Sequence, residues 1–121
     1  AVHALSYSIG AAFHVPHGEA NYQFFTEVFK TYMKRAPEGK IDRVNGVLAG
    51  ILGCSRDAVY SEIEKVLDQL IARKPLREYG MTEEQIDVFT DSTLENQQRL
   101  LANNYVPLDR NEIHEIFAKL R

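Results

Sequence analysis

The chain has 121 residues, 45% hydrophobic and 26% charged, which is the composition of one ordinary globular domain. Its formal net charge of −3, with no run of Lys and Arg longer than a pair, argues against a nucleic-acid partner. Its apolar runs are too short to cross a bilayer, so no membrane partner is expected. The single cysteine, Cys54, excludes an internal disulfide and favours a reducing, cytoplasmic setting.

The opening residues already follow helical spacing, and no Ser, Thr, Asp or Asn precedes them to cap a helix. The chain also begins without Met, so we expect it to be a piece of a longer protein. A helix that has lost its neighbour exposes apolar area. The face that we expect to be exposed and to self-associate comprises Val2, Leu5, Ile9 and Phe13.

Helical periodicity continues after the break at "VPHG", and no window shows the alternation of a strand. Three apolar stripes predict three core-facing helices. The first comprises Tyr22, Phe25, Val28, Phe29, Tyr32 and Met33; the second comprises Val44, Val47, Leu48, Ile51 and Leu52; the third comprises Val59, Ile63, Val66, Leu67, Leu70 and Ile71. Gly46 and Gly50 lie on another face of the second helix. Since glycine weakens a helix, we expect close packing against both.

Two capping motifs mark later helices. Thr82 with Gln85 is a capping-box signature, and Asp109 with Glu112 is a weaker, Asp-led version of it. The last helix carries an apolar stripe that ends at Leu120. The count is six or seven helices joined by short loops, which predicts an all-α helical bundle.

Three of the four histidines fall within the first 17 residues. A helix from His3 to about residue 11 carries the chain about 12 Å, and the next six residues can return up to about 20 Å. His3 and His17 can therefore face each other and share a metal, for which imidazole suits Zn²⁺ or Fe²⁺. Two ligands do not complete a site, and a histidine near a loop is more often a surface residue. We expect His14 to pack in the turn and His114 to be solvated.

The stretch "VHALSYSIGAAFHVPHGEAN" resembles the signature of the iron-containing (group III) alcohol dehydrogenase family. The residues at the family spacing are Val2, His3, Ala4, Gly10, Phe13, Pro16, His17, Gly18 and Ala20. The resemblance implies that His3 and His17 bind a divalent metal, Fe²⁺ or Zn²⁺. It also implies an Asp and a His as further ligands, contributed by a helix upstream of this chain.

The family's architecture implies that residues 1–121 are the C-terminal metal-binding domain of a dehydroquinate synthase-like fold. An N-terminal α/β domain that binds NAD would lie outside this chain, because "GVLAGILG" is part of a helix and not a phosphate-binding loop. The resemblance further implies a small alcohol or aldehyde substrate and a homo-oligomer. This stretch alone is expected to be inactive.

One position departs from the family pattern. Many members carry a middle histidine four residues after the first, whereas this chain has Tyr7. Tyr7 lies on the same helical face as His3, where it could donate a hydrogen bond or proton, or simply pack. We favour packing, and the catalytic role stays open.

A narrower resemblance is to the members of this family that oxidise 4-hydroxybutyrate to succinate semialdehyde with NAD. It rests on "HVPHGEANYQFF", "KPLREYGM" and "QQRLLANNYVPL". The residues that we interpret as loop and cap chemistry are Tyr79, Asn103, Asn104 and Tyr105. Three alternatives remain: a family member acting on a diol or simple alcohol, a non-enzymatic helical interaction module, and a self-contained metal protein completed by His14 and Glu19.

Overall fold

A computed structural model describes all 121 residues, which form seven α-helices and two short 3₁₀ turns, without a strand. The helices are α1 Val2–Phe13, α2 His17–Arg35, α3 Lys40–Leu52, α4 Val59–Leu70, α5 Glu84–Asn96, α6 Gln98–Leu101 and α7 Arg110–Leu120. The 3₁₀ turns are Arg56–Ala58 and Leu76–Tyr79. The predicted all-α bundle is confirmed. None of these helices combines the length and the apolar character needed to span a membrane.

A tight corner joins α1 to α2. His14 closes α1 in the left-handed conformation with φ 54°, and Pro16 starts α2 with φ −54°, a value that its ring imposes. Because only three residues separate the helices, α2 turns back along α1. The first turn of α2 therefore lies close to α1, where the His17 ring contacts His3 and Tyr7.

The core lies where α1, α2, α5 and α7 meet. Phe24 of α2 packs edge-on against Phe117 of α7, with ring centroids 5.4 Å apart, and Phe117 also contacts Phe89 of α5. The largest fully buried side chains around this cluster are Leu5, Ile9, Val28, Leu76, Met81, Ile113 and Ile116. These side chains form one continuous apolar core.

The predicted exposure of the opening helix is wrong. Leu5 and Ile9 are fully buried, and Val2 and Phe13 are partly buried. The reason is that α2 and α5 cover this face of α1, and Ser8 of α1 lies 3.1 Å from Thr93 of α5 between their hydroxyl oxygens. The face of α1 that was expected to self-associate is part of the core.

The second and third stripes are only partly buried, which corrects the prediction that they face the core. The exposed apolar residues of α3, α4 and the residue after α4 are Val44, Val47, Ile51, Val66, Leu70 and Ile71. The buried face of α3 instead comprises Ile41, Asn45 and Ala49, spaced four residues apart. Asn45 can lie in the core because its carbonyl accepts a hydrogen bond of 2.8 Å from the Tyr60 hydroxyl.

Of the two glycines and the two capping motifs that the sequence singled out, one of each behaves as predicted. A Cβ at Gly46 would lie 2.9 Å from the guanidinium of Arg56, as close packing requires, but a Cβ at Gly50 would meet nothing within 4 Å. The Asp109 motif forms a complete capping box with Glu112. At the Thr82 motif only the backbone N–H of Thr82 bonds to the Gln85 side chain.

Candidate metal centre

The corner between α1 and α2 brings His3 and His17 together. Nδ1 of His3 lies 3.1 Å from Nε2 of His17, and the two ring centroids are 5.0 Å apart. Both residues are exposed, so a ligand can reach the ring nitrogens from solvent or from a neighbouring domain. We refer to these two residues as the histidine pair.

Asn21 is a third polar residue at this point, and sequence reasoning missed it. Its amide nitrogen lies 3.1 Å from Nε2 of His17 and 3.5 Å from Nδ1 of His3. The signal was its spacing, because Asn21 follows His17 by four residues and so lies on the same face of α2.

Tyr7 packs against the histidine pair through its ring. The phenol stacks on the imidazole of His17 with centroids 5.4 Å apart and planes inclined by 27°. The side chain is 47% exposed, and its hydroxyl makes no hydrogen bond within the chain. Tyr7 therefore contacts His17 through the stacked faces of the two rings and not through its hydroxyl.

The spacing of the two ring nitrogens fits two ligands of one metal ion. With metal–nitrogen bonds of about 2.0–2.1 Å, tetrahedral ligands lie about 3.4 Å apart, close to the 3.1 Å between His3 and His17. The chain nowhere assembles three or more His, Cys, Asp or Glu side chains in a metal-binding arrangement. The histidine pair alone leaves at least two positions of a tetrahedral ion to other donors.

The alternative site built from His14 and Glu19 does not form. Glu19 joins no cluster of metal-binding side chains and accepts a hydrogen bond of 2.6 Å from the Tyr79 hydroxyl, which in turn accepts one from Gln23. Burial, together with the Glu19 carboxylate, raises the pKa of Tyr79 above its usual value. His14 is exposed at the end of α1. Glu19 and Tyr79 thus connect α2 to the 3₁₀ turn before α5.

Most of the remaining residues considered from the sequence make loop contacts. The Tyr105 hydroxyl donates to the carbonyl of Ala36 at 3.0 Å, and the Asn103 amide donates to the carbonyl of Arg99 at 2.9 Å. Asn104 accepts from the backbone nitrogen of Ala1. His114 is half-buried on α7, 3.6 Å from a carboxylate oxygen of Asp87, and lies outside the site.

An open groove adjoins the histidine pair on the side of α2. It has a volume of about 460 Å³, and its lining comprises Val2, His3, Gly18, Asn21, Tyr22, Phe25 and Leu67. Its walls are mainly apolar around the polar atoms of His3 and Asn21.

Two exposed imidazoles that approach each other on a helical domain can act together as ligands of one metal ion when further donors are supplied. Residues 1–121 match the sequence model of the Fe-containing alcohol dehydrogenase family, C-terminal, so the chain belongs to that family.

Two curated relatives match nearly the whole chain. The 4-hydroxybutyrate dehydrogenase of Clostridium kluyveri is 59% identical over 120 residues, which is 99% of this chain and 32% of that protein. The long-chain-alcohol dehydrogenase 1 of Geobacillus thermodenitrificans is 27% identical over 121 residues, 96% of this chain and 30% of that protein. The chain therefore spans about a third of the length of either relative. No solved structure matches the chain significantly.

Proposed function

We propose that this chain is the metal-binding helical domain of a dehydrogenase that interconverts 4-hydroxybutyrate and succinate semialdehyde with NAD. His3 and His17 would hold a divalent metal, Fe²⁺ or Zn²⁺. An Asp and a His from a helix upstream of this chain would complete the ligand set. The observation that carries this proposal is the 3.1 Å approach of the two ring nitrogens in a chain of this family.

The residues of this chain would bind and orient. The histidine pair would hold the metal, which as a Lewis acid favours the alkoxide form of an alcohol, while the nicotinamide supplies the redox chemistry. Tyr7 restricts the orientation of the His17 ring by stacking on it. The groove beside His3 and Asn21 would admit the carbon chain of a small substrate.

The substrate is proposed from similarity. The 59% identity to a 4-hydroxybutyrate dehydrogenase, against 27% to a long-chain-alcohol dehydrogenase, favours a short hydroxy acid over a simple alcohol. A diol or simple alcohol is the second candidate, because the groove lining carries no side-chain cation that would select a carboxylate. The interaction-module alternative is disfavoured by membership of an enzyme family.

The test compares His17→Ala with His114→Ala in the protein expressed from its complete reading frame. Metal content is measured by mass spectrometry, and NAD reduction is followed with 4-hydroxybutyrate and with butane-1,4-diol. We expect His17→Ala to lose bound metal and turnover together, because a ligand is gone. The His114→Ala control, which removes a histidine outside the site, is expected to keep both.

Two other outcomes would contradict the proposed metal role or the proposed substrate. Full turnover and full metal content in His17→Ala would remove His17 from the site and overturn the metal role. A wild-type protein that prefers the diol to 4-hydroxybutyrate would replace the proposed substrate with the second candidate.

A further inference from the structure

We propose that Lys40 selects a substrate that carries a carboxylate, by binding the acid end of a short hydroxy acid in a second groove lined by His3. The inference rests on the proposed function and names the part of the site that recognises the acid. The groove beside Asn21 has no side-chain cation, so charge there cannot distinguish an acid from a simple alcohol.

The second groove lies between α2, α3 and the loop that follows α6. It has a volume of about 390 Å³, and its apolar lining includes Val2, Phe29, Ile41 and Val44. His3 lines this groove as well as the groove beside Asn21, so both grooves adjoin the histidine pair. A substrate held at the histidine pair therefore has two directions for its carbon chain, and the polar groups of the two grooves decide between them.

Lys40 supplies the cation of the second groove. It is the first residue of α3, its side chain is exposed, and it lines the groove. The ion pairs of the chain all involve other basic side chains, and no Asp or Glu lines this groove. An ammonium with three N–H donors and no carboxylate partner in the chain is suited to bind the carboxylate of a ligand.

Asn104 adds a hydrogen-bond donor without a partner. Its side-chain oxygen accepts from the backbone nitrogen of Ala1, which fixes the orientation of the amide. The amide nitrogen is buried and makes no hydrogen bond, although Asn104 lines the groove. Because folded proteins rarely leave a buried donor unpaired, an acceptor on a bound ligand is the natural partner of this nitrogen.

Tyr32 brings a further donor to the same part of the groove. Its hydroxyl lies near the Asn104 amide because both accept from the nitrogen of Ala1, at 3.3 Å in the case of Tyr32. The hydroxyl hydrogen has no acceptor within the chain. Burial raises the pKa of Tyr32 to about 12, so the hydroxyl keeps this hydrogen at neutral pH. Lys40, Asn104 and Tyr32 thus offer three donor groups without acceptors, which is the complement of a carboxylate.

The test compares Lys40→Gln, which removes the charge, with Lys40→Arg, which keeps it. The matched control is Lys65→Gln, at an exposed lysine of α4. In the protein from its complete reading frame, kcat/KM is measured with 4-hydroxybutyrate and with butane-1,4-diol, and the ratio of the two values is compared between variants.

A second measurement needs neither metal nor turnover. The metal-free protein, labelled at asparagine, is titrated with butyrate, which has the carboxylate and the carbon chain but no hydroxyl. The side-chain amide signals of Asn104 are followed by NMR, in the wild type and in Lys40→Gln.

We expect the ratio of 4-hydroxybutyrate to diol to fall on the order of tenfold in Lys40→Gln, the effect of one hydrogen bond to a charged group. Lys40→Arg should keep most of the preference because the charge remains, and Lys65→Gln should keep all of it. Butyrate should shift the Asn104 signals in the wild type and far less in Lys40→Gln.

An unchanged ratio in Lys40→Gln would overturn the inference, as would Asn104 signals that butyrate does not move. An equal fall in Lys65→Gln would trace the effect to net charge and would overturn it too. If the wild-type protein does not oxidise 4-hydroxybutyrate, the proposed function fails, and the butyrate titration alone then supports or overturns the acid site at Lys40.

Discussion

At the scale of single residues, the contact between Tyr7 and His17 distinguishes packing from proton transfer. The ring of Tyr7 lies on the imidazole, while its hydroxyl has no partner in the chain. Removing the hydroxyl leaves the stacked ring in place, so we expect Tyr7→Phe to keep metal affinity and turnover. Removing the ring in Tyr7→Ala should weaken Zn²⁺ affinity several-fold, because His17 loses its support. Chelator competition and steady-state kinetics measure both variants.

A fall in kcat for Tyr7→Phe, with metal content unchanged, would contradict packing as the whole role of Tyr7. It would instead place the phenol in proton transfer. The exposed position of Tyr7 beside the histidine pair makes this comparison decisive, because the two variants differ in the ring and share the loss of the hydroxyl.

At the scale of elements, Gly39 and Gly50 test the backbone conformation of α3 and of the residue that precedes it. Gly39 has a positive φ before the helix, and Gly50 has an ordinary helical environment inside it. Gly39, before the helix, has φ 143° and ψ −149°, a region that only glycine adopts readily, and a Cβ there would lie 2.5 Å from the Tyr105 hydroxyl. We expect Gly39→Ala to lower the free energy of unfolding by about 1–3 kcal/mol. Gly50, inside the helix with open space around it, should gain about 0.5–1 kcal/mol on conversion to alanine.

Urea unfolding followed by circular dichroism compares these two substitutions in one helix. Equal effects of Gly39→Ala and Gly50→Ala would contradict the loop conformation before α3. Both changes add the same methyl group, so any difference in stability reflects the local backbone and its neighbours.

At the scale of the whole molecule, tertiary packing decides how deeply the apolar stripe of each helix is buried. Ile113 of α7 is fully buried, whereas Ile51 of α3 is 76% exposed, although both belong to strong helical patterns. We expect Ile113→Ala to cost about 2–5 kcal/mol of unfolding free energy through the cavity it leaves. Ile51→Ala should change stability by less than about 0.5 kcal/mol.

The measurement is again the urea midpoint at constant m-value, with the two variants as each other's control. A large loss of stability in Ile51→Ala would show that the α3 face is covered in the protein under test. That result would contradict the exposure of Ile51 on α3.

The sequence was sufficient for the features that depend on local physics. Helical periodicity predicted the all-α fold, and Pro16 marked the corner after α1 because its ring imposes the backbone angle that starts α2. The spacing of His3 and His17 allowed them to meet because a short helix and a turn can return the chain to its start. These relations involve residues close together in the chain.

Only the tertiary structure decided which faces are buried. Leu5 and Ile9 lie in the core because α5, some eighty residues later, packs on α1 with α2, while Val66, Leu70 and Ile71 of the third stripe stay exposed. The contact between Asn21 and His3 also emerged only when α1 placed His3 beside α2. Periodicity reports that a helix has an apolar side, but burial is set by the partner that reaches that side, and the partner comes from distant parts of the chain.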